Sequence, residues 1–306
     1  LSRTLPKDAL PIDYCGREKD LIPMVAVGEA VINDLFSNVD TLKRLQQHIE
    51  EDMHAHSFPI PGKSIVMNIS LTGSPVGGRN VIGYLEGSDP VLKKEVVIIG
   101  GHYDHIGYLR EHEADSDYIY NGADDNASGT SGVLAIAKAF ATMPDRPKRS
   151  VIFIAFAGEE KGLLGSKTYM KEPSWPLDKT VAMLNLDMIS RNSPDTLEII
   201  GAKQNPGLMK IVRKQNKTSG FVLAESKSNH MGGGSDHAGF FKKDIPAIFF
   251  FTGLHKDYHK LTDSPGRIDA KKAAHVARLA FITAWTVANE HRYYKIAREK
   301  DQEEVW

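Results

Sequence analysis

The sequence predicts an α/β protein of three layers: a mixed, mostly parallel central sheet with helices on both faces. Two observations carry that expectation. VVIIG, VIFIAFA and AIFFF are near-continuous apolar runs, as strands read when both faces of a sheet are covered. Between such runs stand stretches with helical spacing, and strand–helix alternation of this kind builds a sheet layered between helices.

Taken in order, the first 25 residues are broken by prolines and charges and read as an irregular arm. Helical patterns follow at Gly28–Phe36 and Val39–His54, the second with Leu42, Leu45 and His48 at helical spacing. Ser64–Thr72 (SIVMNISLT) alternates like a half-buried strand. Strands are then expected over Val81–Leu85, Glu95–Gly100, Ser150–Ala155, Val181–Leu186, Leu197–Ile200 and Ala247–Phe251. Helices are expected over Ser128–Thr142, Gly162–Lys171, Pro206–Lys217 and Ala270–Glu290. The division is an arm over 1–36, a main domain over 37–291 and a charged tail over 292–306.

The 306 residues suit one large α/β domain or two modest ones. A formal net charge of −1, with no long Lys/Arg run, argues against nucleic acid or an anionic membrane as the main partner. No apolar run approaches the ~20 residues needed to span a bilayer. Cys15 is the only cysteine, which excludes an internal disulfide and a cysteine-based zinc cluster. Leu1 opens a polar segment without a signal-peptide pattern.

In such sheets ligands bind beyond the carboxyl ends of the strands. VVIIGG is followed there by His102-Tyr-Asp104, VIFIAFAG by Glu159-Glu160 and VAMLNL by Asp187. Side chains two apart on an extended segment point the same way, so Asp104 could accept the second ring N–H of His102 and fix its tautomer; the alternative is a surface His–Asp pair. NGADDNASG reads as a capped helix start with a solvated Asp pair, or as a loop that holds a carboxylate between two cations. Glu159 and Glu160 repel each other beside an apolar run unless cations compensate them, although a helix N-terminus would also favour acidic residues. Asp187 is flanked by apolar residues and has no basic neighbour before Arg191, a costly placement that a metal would relieve. His259 follows the AIFFF strand, with His255 four residues earlier as a competitor. The acidic loop Glu111–Asp117 reads as solvated rather than as a calcium site.

Together GGHYDHIG, NGADDNASG, AFAGEEKGLLGS, NLDMIS, GGGSDHAGF and YHKLTDS, in this order from about Asn80 to about Asp269, resemble metallopeptidase family twenty-eight. That group includes bacterial leucyl-type aminopeptidases, glutamate carboxypeptidase II and relatives of glutaminyl cyclase. The resemblance implies a zinc exopeptidase fold and two Zn²⁺, with Mn²⁺ or Co²⁺ as substitutes. It implies that Asp124 bridges the metals, that His102 and Asp187 complete one site, and that Glu160 and His259 complete the other. Glu159 becomes the general base, and a strained, often cis, peptide is expected between Asp124 and Asp125. Tyr258 would support the tetrahedral intermediate, and Ser235 and Asp236 resemble a motif near the substrate pocket. Charges agree: two Zn²⁺ neutralise Asp124, Glu160, Asp187 and a hydroxide.

Ile22–Phe36 resembles the trailing end of a protease-associated domain. The implied activity is removal of N-terminal residues from peptides with a free N-terminus, in the periplasm or outside the cell. Carboxypeptidase-like or cyclase-like activity on the same scaffold is the alternative. A serine hydrolase is disfavoured, because no G-x-S-x-G elbow is present.

Overall fold

In a computed structural model, residues 28–36, 39–54, 56, 58–64, 77–113, 115–225 and 234–297 are described. The chain divides into two compact units, Leu1–Val76 and Gly77–Trp306. The first contains α1 (Glu29–Phe36) and α2 (Val39–Asp52), close to the two helices read from periodicity. Within it, Phe36 meets Phe58 edge-on at 6.4 Å and Lys63 pairs with Asp34 at 2.9 Å. Residues 65–72 of the strand expected over Ser64–Thr72 lie outside the described residues, as do most of the expected arm and tail.

The second unit is built on seven strands. They are β1 (Val81–Leu85), β2 (Val96–His102), β5 (Ser150–Phe156), β6 (Thr180–Leu186), β7 (Thr196–Ile200), β8 (Val222–Glu225) and β9 (Ala247–Phe251). Their order in the sheet is β1-β5-β2-β6-β9-β7-β8. β5, β2, β6 and β9 run parallel; β1 pairs antiparallel with β5, and β7 antiparallel with β9. A small hairpin, β3 (Gly107–Tyr108) with β4 (Ile119–Tyr120), stands apart. It went unread because two-residue strands leave no periodicity.

Side-chain alternation sorts the central strands into two cores. Val97 and Ile99 of β2 join Val151 and Phe153 of β5 under α3 (Gly129–Thr142), α5 (Pro206–Ser219) and α7 (Ala270–Asn289). Val96 and Ile98 join Ile152, Ile154 and Phe156 on the opposite face, with Tyr169 of α4 (Leu164–Lys171) and Phe240 of α6 (His237–Lys242). These are the three layers expected. Every residue of β2 and β6 is buried, which is why those runs carry no polar alternation.

The amino end of β5 is pinned by Arg149, which is fully buried. Its Nε donates to Glu95 at 2.6 Å, while its other nitrogens donate to the carbonyls of Val287, Glu290 and Arg292. The start of β5 is thereby tied to the end of α7.

Candidate metal centre

The carboxyl ends of β2, β5 and β6 deliver His102, Glu159-Glu160 and Asp187 to one edge of the sheet. Two features bring the ends close. A Cβ on Gly101 would lie 2.5 Å from the backbone oxygen of Leu186, so only glycine lets β2 pass there. Asn126 then ties the 123–128 turn to the end of β6: its Nδ2 donates to Leu186 O, and its Oδ1 accepts from Gly129 N and Met188 N.

Four of the five expected ligands meet at that edge. His102 Nε2 stands 3.4 Å from Asp187 Oδ2, and His259 Nε2 stands 3.1 Å from Glu160 Oε2. The fifth position is taken by Asp125. Its Oδ1 is 3.2 Å from His102 Nε2 and its Oδ2 is 3.2 Å from His259 Nε2, one oxygen toward each imidazole. Asp124 faces away and is fully buried. Its carboxylate accepts from Ser190 N at 2.9 Å, Ser190 Oγ at 2.6 Å and Ser128 Oγ at 3.1 Å, with His255 Nε2 at 3.2 Å. Neighbouring side chains on this turn diverge, and the three hydrogen bonds to the Asp124 carboxylate come from Ser128 and Ser190 and all end on its Oδ1. The cis peptide likewise stands between Asp125 and Asn126 rather than between Asp124 and Asp125.

Asp104 also takes a different part. The ring Nδ1 of His102 lies 3.1 Å from the Asp104 backbone oxygen, while the carboxylate is 3.7 Å away. That carboxylate instead accepts the backbone N–H groups of Glu159 at 3.0 Å and Glu160 at 3.3 Å, fixing the turn that carries both glutamates. Ser235 and Asp236 are buried and do not line the adjoining cavity. Ser235 accepts from Asn185 Nδ2 and donates to Asp187 Oδ2, both at 2.7 Å, so it orients Asp187 rather than a substrate. Tyr258 does line the cavity, with its ring stacked 3.8 Å from that of His259.

One participant went unnoticed in the sequence. His105 Nδ1 lies 2.7 Å from Glu160 Oε1, with its ring against Gly122. The signal was present as the second histidine of HYDHIG. Two groups of side chains can therefore hold a cation, His102 with Asp125 and Asp187, and His105 with Asp125 and Glu160. Asp125 belongs to both.

The charges call for cations. Asp187 Oδ1 is buried without a hydrogen-bond donor, an expensive condition for a carboxylate. Burial disfavours the charged form of His102, yet Asp187, Asp125 and Glu159 outweigh it and push the ring's pKa far up. Hydrogen bonds to Asp125 and Glu160 raise His259 to about 10. Burial, helped by Asp187, Asp236 and Glu160, pushes Glu159 up to about 9. Imidazoles with hard carboxylate oxygens are a donor set suited to zinc.

The description Peptidase family M28 matches residues 80–284. The chain belongs to this peptidase family. Among M28 relatives and neighbours, it is similar to aminopeptidase YwaD of Bacillus subtilis, 25% identical over 72% of this chain and 47% of that protein. It is also similar to a probable leucine aminopeptidase of Arthroderma benhamiae, 29% identical over 65% of this chain and 56% of that one. The chain thus spans about half the length of these relatives. Among solved structures, the zinc aminopeptidase BSAP of Bacillus subtilis superposes with a TM-score of 0.58 at 25% identity, over 72% of this chain and 53% of that one.

Proposed function

We propose that this chain is a zinc-dependent aminopeptidase that binds two zinc ions and hydrolyses the first peptide bond of substrates with a free N-terminus. The observation that carries the reading is Asp125, which presents one carboxylate oxygen to each of two histidine–carboxylate groups. His102, Asp187 and Asp125 would hold one ion; Glu160, His259 and Asp125 would hold the other, with His105 beside it. Bound there, the ions would acidify a water and polarise the scissile carbonyl.

The chain's own groups supply the rest. Glu159, 4.0 Å from His102 Nε2 through its Oε2, is the carboxylate left over once the ligands are assigned. It takes the proton of the attacking water on Oε2 and returns it to the leaving nitrogen. An environment that raises its pKa makes it the stronger acceptor for the water's proton. Burial raises the Tyr258 phenol well above its ordinary value, so it stays protonated and available to donate to an oxyanion. A cavity of about 390 Å³ opens from Asp125, Glu159 and Asp187 between Met188, Ile200, Phe249, Phe251 and Leu254, a size and lining suited to a single amino-acid side chain.

The test is hydrolysis of unblocked aminoacyl anilides by zinc-loaded protein, with and without chelator, alongside Glu159→Gln. Turnover should require zinc, and the variant should keep its zinc while kcat falls by roughly 10²–10⁴. Near-normal turnover of Glu159→Gln at full zinc content would reject Glu159 as the base. Release of pyroglutamyl peptide from a glutaminyl peptide, with one zinc per chain and no anilide cleavage, would favour the cyclase alternative.

A further inference from the structure

The cavity beside the metal centre contains one group that the hydrolytic chemistry does not use. β7 pairs antiparallel with β9, in the register Glu198↔Phe251 and Ile200↔Phe249. The beginning of β7 is therefore carried to the carboxyl end of β9, at the edge where the centre lies. Residues directly opposite share a face, as do residues two apart, so Glu198 is set among Ile200, Phe249 and Phe251. Those three form a small apolar cluster separate from the two main cores, with the rings of Phe249 and Phe251 at 5.2 Å.

Glu198 is partly buried and lines the cavity together with them. Among the described residues that line it there is no lysine, arginine or histidine. The other three carboxylates of the cavity, Asp125, Glu159 and Asp187, belong to the metal end. Glu198 does not: β9 lies between β7 and β6, and two interstrand spacings place it about 10 Å from the strand that delivers Asp187. The substrate's α-ammonium, one carbon from the scissile carbonyl, must stay near the metal end. What reaches Glu198 is the far end of the first side chain.

We propose that Glu198 selects substrates whose N-terminal residue is basic, lysine or arginine; the inference rests on the aminopeptidase reading for the direction in which the substrate enters. A long basic side chain has an apolar stem and a cationic tip, which matches apolar walls ending in one carboxylate. Arginine would also lie against the Phe249–Phe251 pair. A leucine or methionine side chain would take water from Glu198 and give it no partner.

Calorimetry on zinc-loaded protein with free L-lysine and L-norleucine, which lacks only the ε-amine, isolates that contact. Lysine should bind about tenfold tighter, and Glu198→Gln should bring the ratio toward one. Equal binding by the parent, or a ratio unmoved in Glu198→Gln, overturns the proposal. Lysyl and leucyl p-nitroanilides give the kinetic counterpart: the lysyl-to-leucyl ratio of kcat/KM should drop about tenfold in Glu198→Gln, and Glu198→Lys should cleave the glutamyl p-nitroanilide in preference to the lysyl one. Leucyl cleavage with a ratio unaffected by Glu198 sinks the selectivity and spares the hydrolysis. Tight, Glu198-dependent lysine binding without cleavage of any anilide does the reverse.

Discussion

Asp124 and Asp125 are adjacent carboxylates, both buried, and one pair of substitutions separates their duties. Asp125→Ala removes the oxygen that faces each imidazole, so zinc should be lost from both positions together and activity with it. Asp124→Ala touches neither imidazole of the centre. It strips the acceptor from Ser190 N and Ser190 Oγ, at 2.9 and 2.6 Å. Ser128 Oγ keeps its bond to the Asp124 backbone oxygen at 2.7 Å and is not orphaned. Two unsatisfied buried donors at about 1–3 kcal/mol each give a loss of about 2–6 kcal/mol in stability. The assays are zinc content by elemental analysis and urea denaturation of the zinc-free proteins. The zinc-free comparison matters, because bound metal would add its own stabilisation. Folded Asp124→Ala without zinc, beside Asp125→Ala with a full complement, would refute this division of labour and restore the bridge expected from the family pattern.

Two further outcomes follow from the rest of the unit. Arg149→Ala leaves the Glu95 carboxylate with the Tyr293 hydroxyl but no cation and should cost about 3–5 kcal/mol in denaturation, with turnover per folded molecule intact; a loss under about 1 kcal/mol would show that water replaces the guanidinium. The Arg191 guanidinium and the Thr262 hydroxyl hold Asp257 at about 2, below its ordinary value. Its stabilising contribution is whole above about pH 4 and is lost as pH falls through about 2, so Asp257→Asn should flatten the acid limb of the stability profile, and an unchanged limb would exclude this pair as its source.

The central strands were legible because burial on both faces writes itself as unbroken apolar runs: Ala247–Phe251 matches to the residue, as does the exposed edge strand Val81–Leu85, whose residues are mostly β-formers rather than buried ones. β8 and α6 were not, since four residues at a sheet edge and six residues in a helix are too short for a period to show. At the centre, residue types were legible and pointing directions were not. DD in NGADDNASG offers two identical carboxylates, and only the donors around Asp124, which come from Ser128 and Ser190, decide which one turns inward. Spacing placed Asp104 on the same side as His102, correctly, but the backbone oxygen of Asp104 lies nearer the ring than its carboxylate does. Ser235 was singled out for the wrong partner: its hydroxyl reaches Asp187.

A layer of polar contacts behind the ligands explains how so many like charges hold one geometry. The carboxylate of Asp263 accepts the backbone N–H groups of both Asp124 and Asp125, at 3.0 and 3.1 Å through Oδ2. Arg191 Nη1 stands 3.8 Å from Asp263 and Arg191 Nη2 bonds Asp257 at 2.7 Å. Lys272, almost fully buried, donates to the backbone oxygens of Arg191 and Ser193. The 123–128 turn is thus fastened from outside the centre, Asp104 fastens the glutamate turn, and Ser235 fastens Asp187. His102, Asp125, Glu160 and Asp187 are each positioned by a donor or acceptor outside the set of ligands, as a preorganised site requires. In the proposed enzyme the electrostatic cost of gathering Asp125, Glu159, Glu160 and Asp187 would be carried by cations; the cost of ordering them is carried by this surrounding layer, already in place in the fold. Removing zinc should therefore leave the sheet and the turns folded while the imidazoles and carboxylates take up protons in its stead.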